Sequence, residues 1–164
     1  MDTATPLFDT LAFLDFELTL ARRELLRDGA PVAIGGRALE LLALLASRRI
    51  DVAQAGVLVL GVTFKENCPD LRNSRALALA LRLAQGGARV EACDPWADAD
   101  EVARQGVALC AAPRAGGYDA VVLAVAHEAW RTYDATQVRA LGRPGAVVYD
   151  VKSVWPREAV DDRL

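Results

Sequence analysis

The sequence is poor in several residue types on which common protein functions depend. Lysine occupies only two of the 164 positions, against 17 arginines, and there is a single histidine. The net charge of −3 lacks the basic excess that is typical of a nucleic-acid-binding protein. The three cysteines, Cys68, Cys93 and Cys110, have neither metal-like nor paired spacing. This pattern predicts a reduced protein in the cytoplasm.

Three sequence signals are also missing. No apolar run reaches the roughly 18 residues of a membrane span. The first ten residues, MDTATPLFDT, lack the basic start and apolar core of a signal peptide, and we expect them to form a loose tail. There is no G-x-G-x-x-G, the usual dinucleotide fingerprint. We therefore expect neither a membrane nor a nucleic acid as a partner.

The stretch from residue 57 to 74, VLVLGVTFKENCPDLRNS, organises the chain. Its apolar start predicts a buried parallel strand, and Gly61 allows the backbone to turn where that strand ends. A polar loop with Lys65 and Arg72 follows, and then a helix-forming run that Asn73 or Ser74 can cap. Cations beside a helix N-terminus favour an anion, so a phosphate-bearing ligand is the first hypothesis.

Apolar runs alternate with capped helical segments along the rest of the chain, which predicts an α/β fold with a Rossmann-like parallel sheet and helices on both faces. The predicted strands are 57–62, 89–93, 107–110, 120–125 and 146–150. Predicted helices run from about 74 to 85, from about 98, and from about 134 to 141, where Asp134 and Gln137 form a possible capping box at the start of the last one. Short alternating segments at 13–18, 24–27 and 31–34 predict a small β-hairpin that precedes a helix over 37–49.

Four motifs carry a resemblance to a known family: residues 61–74 (G-V-T-F-K-E-N-x-x-D-x-R-N-S), 92–96 (ACDPW), 124–127 (AVAH) and 149–152 (YDVK). They resemble the C-terminal, UDP-binding domain of the UDP-glucose/GDP-mannose dehydrogenase family. The likeness is closest to members that oxidise UDP-N-acetylhexosamines, and it covers roughly residue 49 to the C-terminus. The predicted division is therefore 1–48 for an N-terminal segment and 49–164 for this domain.

The resemblance implies a set of site residues. Phe64, Lys65 and Lys152 would contact the UDP-sugar, with the ammonium of Lys65 as a compact charge for the diphosphate. Arg72 would lie near the NAD cofactor. The alternatives are a core phenylalanine and a solvated lysine for the first pair, and for Arg72 an ion pair with Asp70 or Glu66 within the loop.

Other polar and aromatic residues also follow predicted strands. Lys65, Asp94, His127 and Lys152 could converge on one edge of the sheet, because ligands of such sheets bind beyond the carboxyl ends of the strands. We expect Asp94 mainly to form a turn. We expect His127 to fix a loop by a hydrogen bond, since no nucleophile or metal-ligand pattern surrounds it. The three tryptophans, at 96, 130 and 155, are expected to pack at the edge of the sheet.

The resemblance also sets an expectation about activity. Full-length members of the family oxidise a UDP-sugar to a UDP-uronic acid for polysaccharide biosynthesis, and need an NAD-binding Gly-rich loop and a catalytic cysteine. These 164 residues show neither motif, and the Asn-Cys-Pro setting of Cys68 does not match the cysteine motif. We expect UDP or UDP-sugar binding, no catalytic residue, no NAD bound to this chain alone, and no activity alone. A homodimer is left open.

A second resemblance gives the alternative. Residues 11–47 are similar to the start of a winged-helix transcriptional regulator, but the likeness stops before any recognition helix. The chain would then be a truncated regulator fused to a ligand-binding domain, or a remnant without a selected role. Because the DNA-reading parts are missing from these residues, we expect no DNA binding.

Overall fold

The computed structural model describes residues 10–13, 15–19 and 21–163. Of the predicted tail over residues 1–10, residues 1–9 lie outside this part, and Thr10 begins a strand instead. The chain begins with a four-stranded antiparallel sheet of β1 (Thr10–Phe13), β2 (Phe16–Thr19), β3 (Glu24–Arg27) and β4 (Ala30–Pro31). The three predicted segments correspond to β2, β3 and β4 of this meander, and β1 was not predicted as a separate strand. Its last turn is made by Asp28 and Gly29, both of which have positive φ.

The helix α1 (Gly36–Ser47) follows this small sheet. It begins one residue earlier and ends two residues earlier than predicted. Arg49 has a positive φ of 58°, which cannot continue a helix. Leu41, Leu42 and Leu45 are buried on one face of the helix, as their spacing requires.

A six-stranded sheet forms the centre of the molecule, and every strand pair in it is parallel. Its strands are β5 (Gly56–Leu60), β6 (Arg89–Cys93), β7 (Ala108–Cys110), β8 (Tyr118–Leu123), β9 (Gly142–Asp150) and β10 (Asp162–Arg163). Their order is β10-β9-β8-β5-β6-β7. If β5 to β10 are numbered 1 to 6, the order read from the β7 edge is 3-2-1-4-5-6, which is the order of Rossmann sheets. This confirms the predicted fold class.

The predicted strands are confirmed, but two of them end earlier than expected. β5 stops at Leu60 and β8 at Leu123, although both apolar runs continue for two residues. Beyond those points, the amides of Ala124 and Val125 both donate to the carbonyl of Leu60. The first residues of the loops after β5 and β8 are therefore buried. The two-residue β10 was not predicted, because so short a segment carries no periodic signal.

The helices of this region are α2 (Arg75–Gln85), α3 (Ala99–Arg104), α4 (Glu128–Arg131) and α5 (Ala135–Leu141). Ser74, rather than Asn73, caps α2, and its hydroxyl accepts the Leu77 amide at 3.0 Å. The predicted capping box of Asp134 and Gln137 is present at the start of α5. The four-residue α4 was missed by the sequence-based prediction.

Side chains alternate between the two faces of the sheet. Val57 and Val59 of β5 belong to a core on one face, and Leu58 and Leu60 belong to a core on the other. The first core is covered by α1, α2 and α3, and the second by α4 and α5. Helices on both faces are thus confirmed. Because successive side chains of a strand point to opposite faces and both faces are covered, the strands are apolar throughout.

The N-terminal segment is packed against the parallel sheet. Its residues Leu18 and Leu25 share the first core with Tyr149 of β9. Arg48 forms a 2.7 Å ion pair with Asp161 near the other end of the chain. The division at residues 48 and 49 stays a prediction, because the described parts on both sides of it bury one common core.

Candidate functional site

A cavity of about 650 Å³ opens at the carboxyl edge of the parallel sheet. It lies beyond β5 and β8, where the strand order reverses, which is the usual ligand position in such sheets. Thr63 and Phe64 line it from the loop after β5, Ala124 and Val125 from the loop after β8, and residues 151–152 from the loop after β9. Two further walls come from the start of α2 and from residues 34–38 at the start of α1.

The charge of this cavity has one sign. Among the residues that the structure describes, its lining holds no carboxylate and includes four cationic side chains, Arg37, Arg75, Arg82 and Lys152. The remaining lining is largely apolar, with small and branched side chains from α2 and the strand ends. A cationic surface beside an apolar one suits a ligand that carries both phosphate groups and a flat or hydrophobic part.

Two of the three predicted substrate residues line the cavity. Phe64 is 56% exposed although it is a large hydrophobic residue, so it is not the core residue of the alternative interpretation. Lys152 lines the cavity and also forms a 2.9 Å ion pair with Glu66. The hydrogen bond from Lys152 is the main reason why the pKa of Glu66 lies below its usual value.

Lys65 is placed differently from Lys152. It is exposed on the loop after β5, next to Phe64, but it is not among the residues that line the cavity. Its side chain has no ion pair within the described part of the chain. Its backbone is held in place by the Thr63 hydroxyl, which donates to the Lys65 carbonyl at 3.2 Å.

Arg72, the predicted cofactor residue, is occupied by its own loop. Its guanidinium donates twice to Asp70, at 2.8 and 3.0 Å, while the side chain stays 84% exposed. The hydrogen bond from Arg72 holds the pKa of Asp70 at about 2. The structure thus shows the loop ion pair of the alternative interpretation. A cofactor contact by Arg72 stays a prediction.

A buried network joins the loops at this edge of the sheet. His127 is fully buried, and its Nδ1 accepts a hydrogen bond from the backbone N–H of Asn67 at 2.9 Å. The proton must therefore sit on Nε2, which lies 2.9 Å from Asp94 Oδ2 and 3.1 Å from the Thr63 hydroxyl. This confirms the loop-fixing role predicted for His127, since neither ring nitrogen is available to a ligand.

Asp94 is the acceptor at the centre of that network. Its Oδ2 also accepts the amides of Val62 and Thr63 at 2.7 and 3.1 Å, and its Oδ1 accepts the amide of Trp96. Burial by itself raises the pKa of this carboxyl, but the hydrogen bonds from His127, Val62 and Trp96 outweigh that effect and lower it. The predicted turn is present, and the carboxylate also fixes the neighbouring loop.

These observations bear on the NAD that the family resemblance implies. In dinucleotide-binding sheets a glycine-rich turn follows the first strand, and an acid after the second strand holds the ribose. Here the turn and loop 61–74 contain a single glycine, Gly61, so they are not glycine-rich. The corresponding acid, Asp94, is buried with both oxygens occupied by hydrogen bonds. The described residues therefore do not fit a dinucleotide at this edge.

Two further side chains fix the loops around the cavity. The Ser74 hydroxyl donates to the Val62 carbonyl at 2.6 Å, which ties the start of α2 to the beginning of the loop after β5. Asp150 is fully buried and accepts the amides of Lys152, Val154 and Trp155, each at 2.8 Å. The loop that carries Lys152 is thereby rigid at its base. The role of Asp150 was not predicted, although its place directly after a strand was a usable signal.

The tryptophans do not all pack as expected. Trp130 and Trp155 are buried, and the indole of Trp155 donates to the Trp130 carbonyl at 2.9 Å. The prediction was wrong for Trp96, which is 45% exposed. Its position after Pro95, where the chain turns away from β6, directs it outward from the sheet edge.

Cys68 is a free, half-buried thiol in the loop after β5. Within the described ranges, no cluster of His, Cys, Asp or Glu is suited to hold a metal ion. The helices of residues 10–163 that the structure describes include none with the length and apolar character to cross a membrane.

Sequence reasoning missed three of the four cations in the cavity. Arg37 comes from the start of α1, 20 positions before the stretch 57–74 that organises the site, and Arg75 and Arg82 lie on α2. Arg75 directly after the helix cap was a usable signal. For Arg37 the only local signal was the pair of glycines before it, and those glycines indicated a turn.

Comparison with known proteins gives a consistent picture. Residues 58–157 match the family described as "UDP-glucose/GDP-mannose dehydrogenase family, UDP binding domain". The chain is 37% identical to UDP-N-acetyl-D-glucosamine 6-dehydrogenase of Salmonella typhi, over 76% of the chain and 30% of that protein. It is also 37% identical to the enzyme of the same name from Pseudomonas aeruginosa, over 90% of the chain and 34% of that protein. The chain thus spans about a third of the length of these relatives.

Solved structures show the same fold. A dehydrogenase of NDP-N-acetyl-D-galactosaminuronic acid from Methanosarcina mazei Go1 superimposes with a TM-score of 0.62 at 18% identity, over 77% of this chain and 28% of that one. A UDP-D-ManNAc dehydrogenase from Pyrococcus horikoshii gives a TM-score of 0.59 at 20% identity, over 77% and 29%. None of these matches supports the winged-helix alternative for the first 47 residues.

Proposed function

Because the chain belongs to the UDP-glucose/GDP-mannose dehydrogenase family, whose UDP-binding domain its residues 58–157 match, we propose that it binds UDP or a UDP-sugar in the cavity beyond β5 and β8. The observation that carries the proposal is the cavity itself. It lies at the reversal of strand order, and its described lining contains four cations and no carboxylate. The relatives named for UDP-N-acetyl-D-glucosamine favour a UDP-N-acetylhexosamine as the sugar nucleotide.

The predicted residues take distinct roles in this proposal. Lys152 supplies a positive charge inside the cavity, and Phe64 supplies an exposed ring against which an apolar or flat part of the ligand packs. Lys65 is adjacent to Phe64 and has no ion pair in the described part of the chain, so its flexible side chain is free to turn towards a phosphate. Arg72 contributes little to nucleotide binding, since Asp70 holds its guanidinium.

We expect UDP to bind the purified chain weakly, with a dissociation constant on the order of 0.1–1 mM, or about 4–5.5 kcal/mol. Lys65→Ala and Lys152→Ala should each weaken UDP binding roughly tenfold or more, because a charge-assisted hydrogen bond contributes about 1.5–3 kcal/mol. Arg72→Ala should change the affinity less than twofold or so. Calorimetric titration, or chemical shifts in NMR spectra, would measure these affinities.

Arg104→Ala is the matched control for the loss of one charge, because Arg104 is exposed at the end of α3, away from the cavity. Uridine is the matched ligand, since it has the base and ribose but no phosphate. UDP affinity that is the same in both lysine variants as in the parent chain would place the nucleotide elsewhere.

We also propose that these 164 residues, as an isolated polypeptide, do not oxidise UDP-sugars with NAD. The loop 62–74 is not glycine-rich, and Asp94 is not available to a ribose. Incubation of the pure chain with NAD and UDP-N-acetylglucosamine should therefore produce no NADH absorbance at 340 nm above that of a blank without protein. NADH formation that depends on substrate and disappears in Cys68→Ala would refute this and would give Cys68 a catalytic role.

A further inference from the structure

Residues 34–38 form a wall of the proposed nucleotide cavity, although they come from the N-terminal segment and lie outside the 58–157 region that matches the family. This wall consists of Ile34, two glycines, Arg37 and Ala38. It faces the part of α2 that begins with Arg75. The cavity is thus closed on one side by residues outside the family-model match, although the 149-residue match to the Pseudomonas aeruginosa relative spans them.

The wall is attached to α2 by packing and by a hydrogen bond. Arg82 of α2 donates from its guanidinium to the carbonyl of Ala33, immediately before the wall. A methyl group placed on Gly86, at the end of α2, would lie 2.9 Å from Leu42 and 3.1 Å from Ile34. This close packing fixes the position of the wall relative to α2 in the absence of any ligand.

Arg82 has no ion pair within the described residues but donates to the Ala33 carbonyl, which leaves Arg37 and Arg75 as the two cations of the cavity with neither a counter-ion nor a hydrogen-bond acceptor there. Both side chains are exposed, and neither forms an ion pair within the described residues. Glu40, one turn after Arg37 on the same helix, is instead contacted by Arg23 at 3.8 Å and by the Tyr149 hydroxyl at 3.0 Å. Lys152, in contrast, already pairs with Glu66.

We propose that Arg37 binds the diphosphate of the nucleotide from the α1 side of the cavity, together with Arg75 from the α2 side, so that the N-terminal segment is a working part of the nucleotide site. A guanidinium donates two parallel hydrogen bonds to a phosphate, and two of them match the two phosphates of a nucleoside diphosphate. This inference rests on the proposed function. It goes beyond it by assigning a ligand contact to the first 47 residues and by making Arg82 a positioning residue for that contact.

The test uses the complete 164-residue chain and compares UDP, UMP and uridine. Arg37→Ala should weaken UDP binding roughly tenfold, which corresponds to about 1.4 kcal/mol. It should weaken UMP binding less and leave uridine binding unchanged. The matched control is Arg22→Ala, which removes one exposed arginine from the same segment outside the cavity. Arg82→Ala should also weaken UDP binding, and Arg37→Ala should have no additional effect on UDP binding in that background.

The outcomes separate the two proposals. If the parent chain does not bind UDP at all, the proposed function fails, and this inference fails with it. A second outcome is that the parent chain binds UDP, Lys152→Ala weakens UDP binding, and Arg37→Ala binds UDP like the parent. Only this inference is then overturned, whatever the effect of Arg75→Ala. Arg37→Ala that weakens uridine as much as UDP would also overturn it, because the loss would then not concern the phosphates. Urea unfolding of each variant shows that the fold is intact.

Discussion

We expect Gly61→Ala to destabilise the protein by about 2–5 kcal/mol and to abolish measurable UDP binding. Gly61 is the turn residue directly after β5 and has a φ of 82°, which costs a residue with a side chain about 1–2 kcal/mol. A methyl group at this position would also lie 2.5 Å from Val125 Cβ and 2.6 Å from the Val125 carbonyl oxygen. Since backbone cannot move aside cheaply, the loops after β5 and β8 must separate, and both of them line the cavity.

The matched control is Gly145→Ala. Gly145 has nearly the same φ, 81°, but a methyl group there meets nothing within 4 Å. The backbone penalty is therefore shared by the two variants, and the difference between them isolates the clash with Val125. Urea unfolding measures both. If the two variants lose the same stability, the contact between the β5 and β8 loops is looser than the structure shows.

The second large effect is expected from Asp94→Ala, which should lower the free energy of unfolding by about 3–5 kcal/mol. The carboxylate accepts hydrogen bonds from two amides of the β5 loop, from two amides of its own turn and from His127. Alanine leaves these donors buried without a partner, and each such group costs about 1–3 kcal/mol. Asp70→Ala removes a partly exposed carboxylate from the same region and should cost no more than about 1 kcal/mol.

The same residue predicts a pH dependence. Hydrogen bonding lowers the pKa of Asp94 in the folded state below its usual value of 3.8. Its contribution to stability is therefore complete above about pH 4 and is lost as the pH falls through the lower folded-state pKa. The free energy of unfolding should fall less steeply below pH 4 in Asp94→Asn than in the parent chain. Equal acid slopes for the two proteins would show that Asp94 keeps an ordinary pKa.

The two effects also bear on the function. Asp94 and Gly61 do not line the cavity, yet both hold the β5 loop that carries Phe64 and Lys65. A ligand site on this loop requires that the backbone of the loop is already fixed before binding. A nucleotide that had to order the loop as well would bind with lower affinity. Substitutions at these two positions are therefore expected to lower UDP affinity in proportion to the stability that they remove.

The sequence by itself determined the local elements and the class of fold. The apolar run at 57–62 identified β5, and the Asp134 and Gln137 pair identified the start of α5, because both signals depend on neighbouring residues. It also placed Lys65, Asp94, His127 and Lys152 directly after strands. Parallel strands bring their carboxyl ends to one edge, so the location of the site followed from the same pattern.

Only the tertiary structure decided which of these residues face the ligand cavity. Lys65 and Lys152 are equivalent in the sequence pattern, but Lys152 lines the cavity and Lys65 does not. Asp94 and His127 are 33 positions apart and bind each other, which withdraws both from ligand contact. Arg37 enters the site from a separate small sheet and helix, through packing against α2. Such contacts depend on strand order and on the docking of distant segments, and neither leaves a periodic signal in the local sequence.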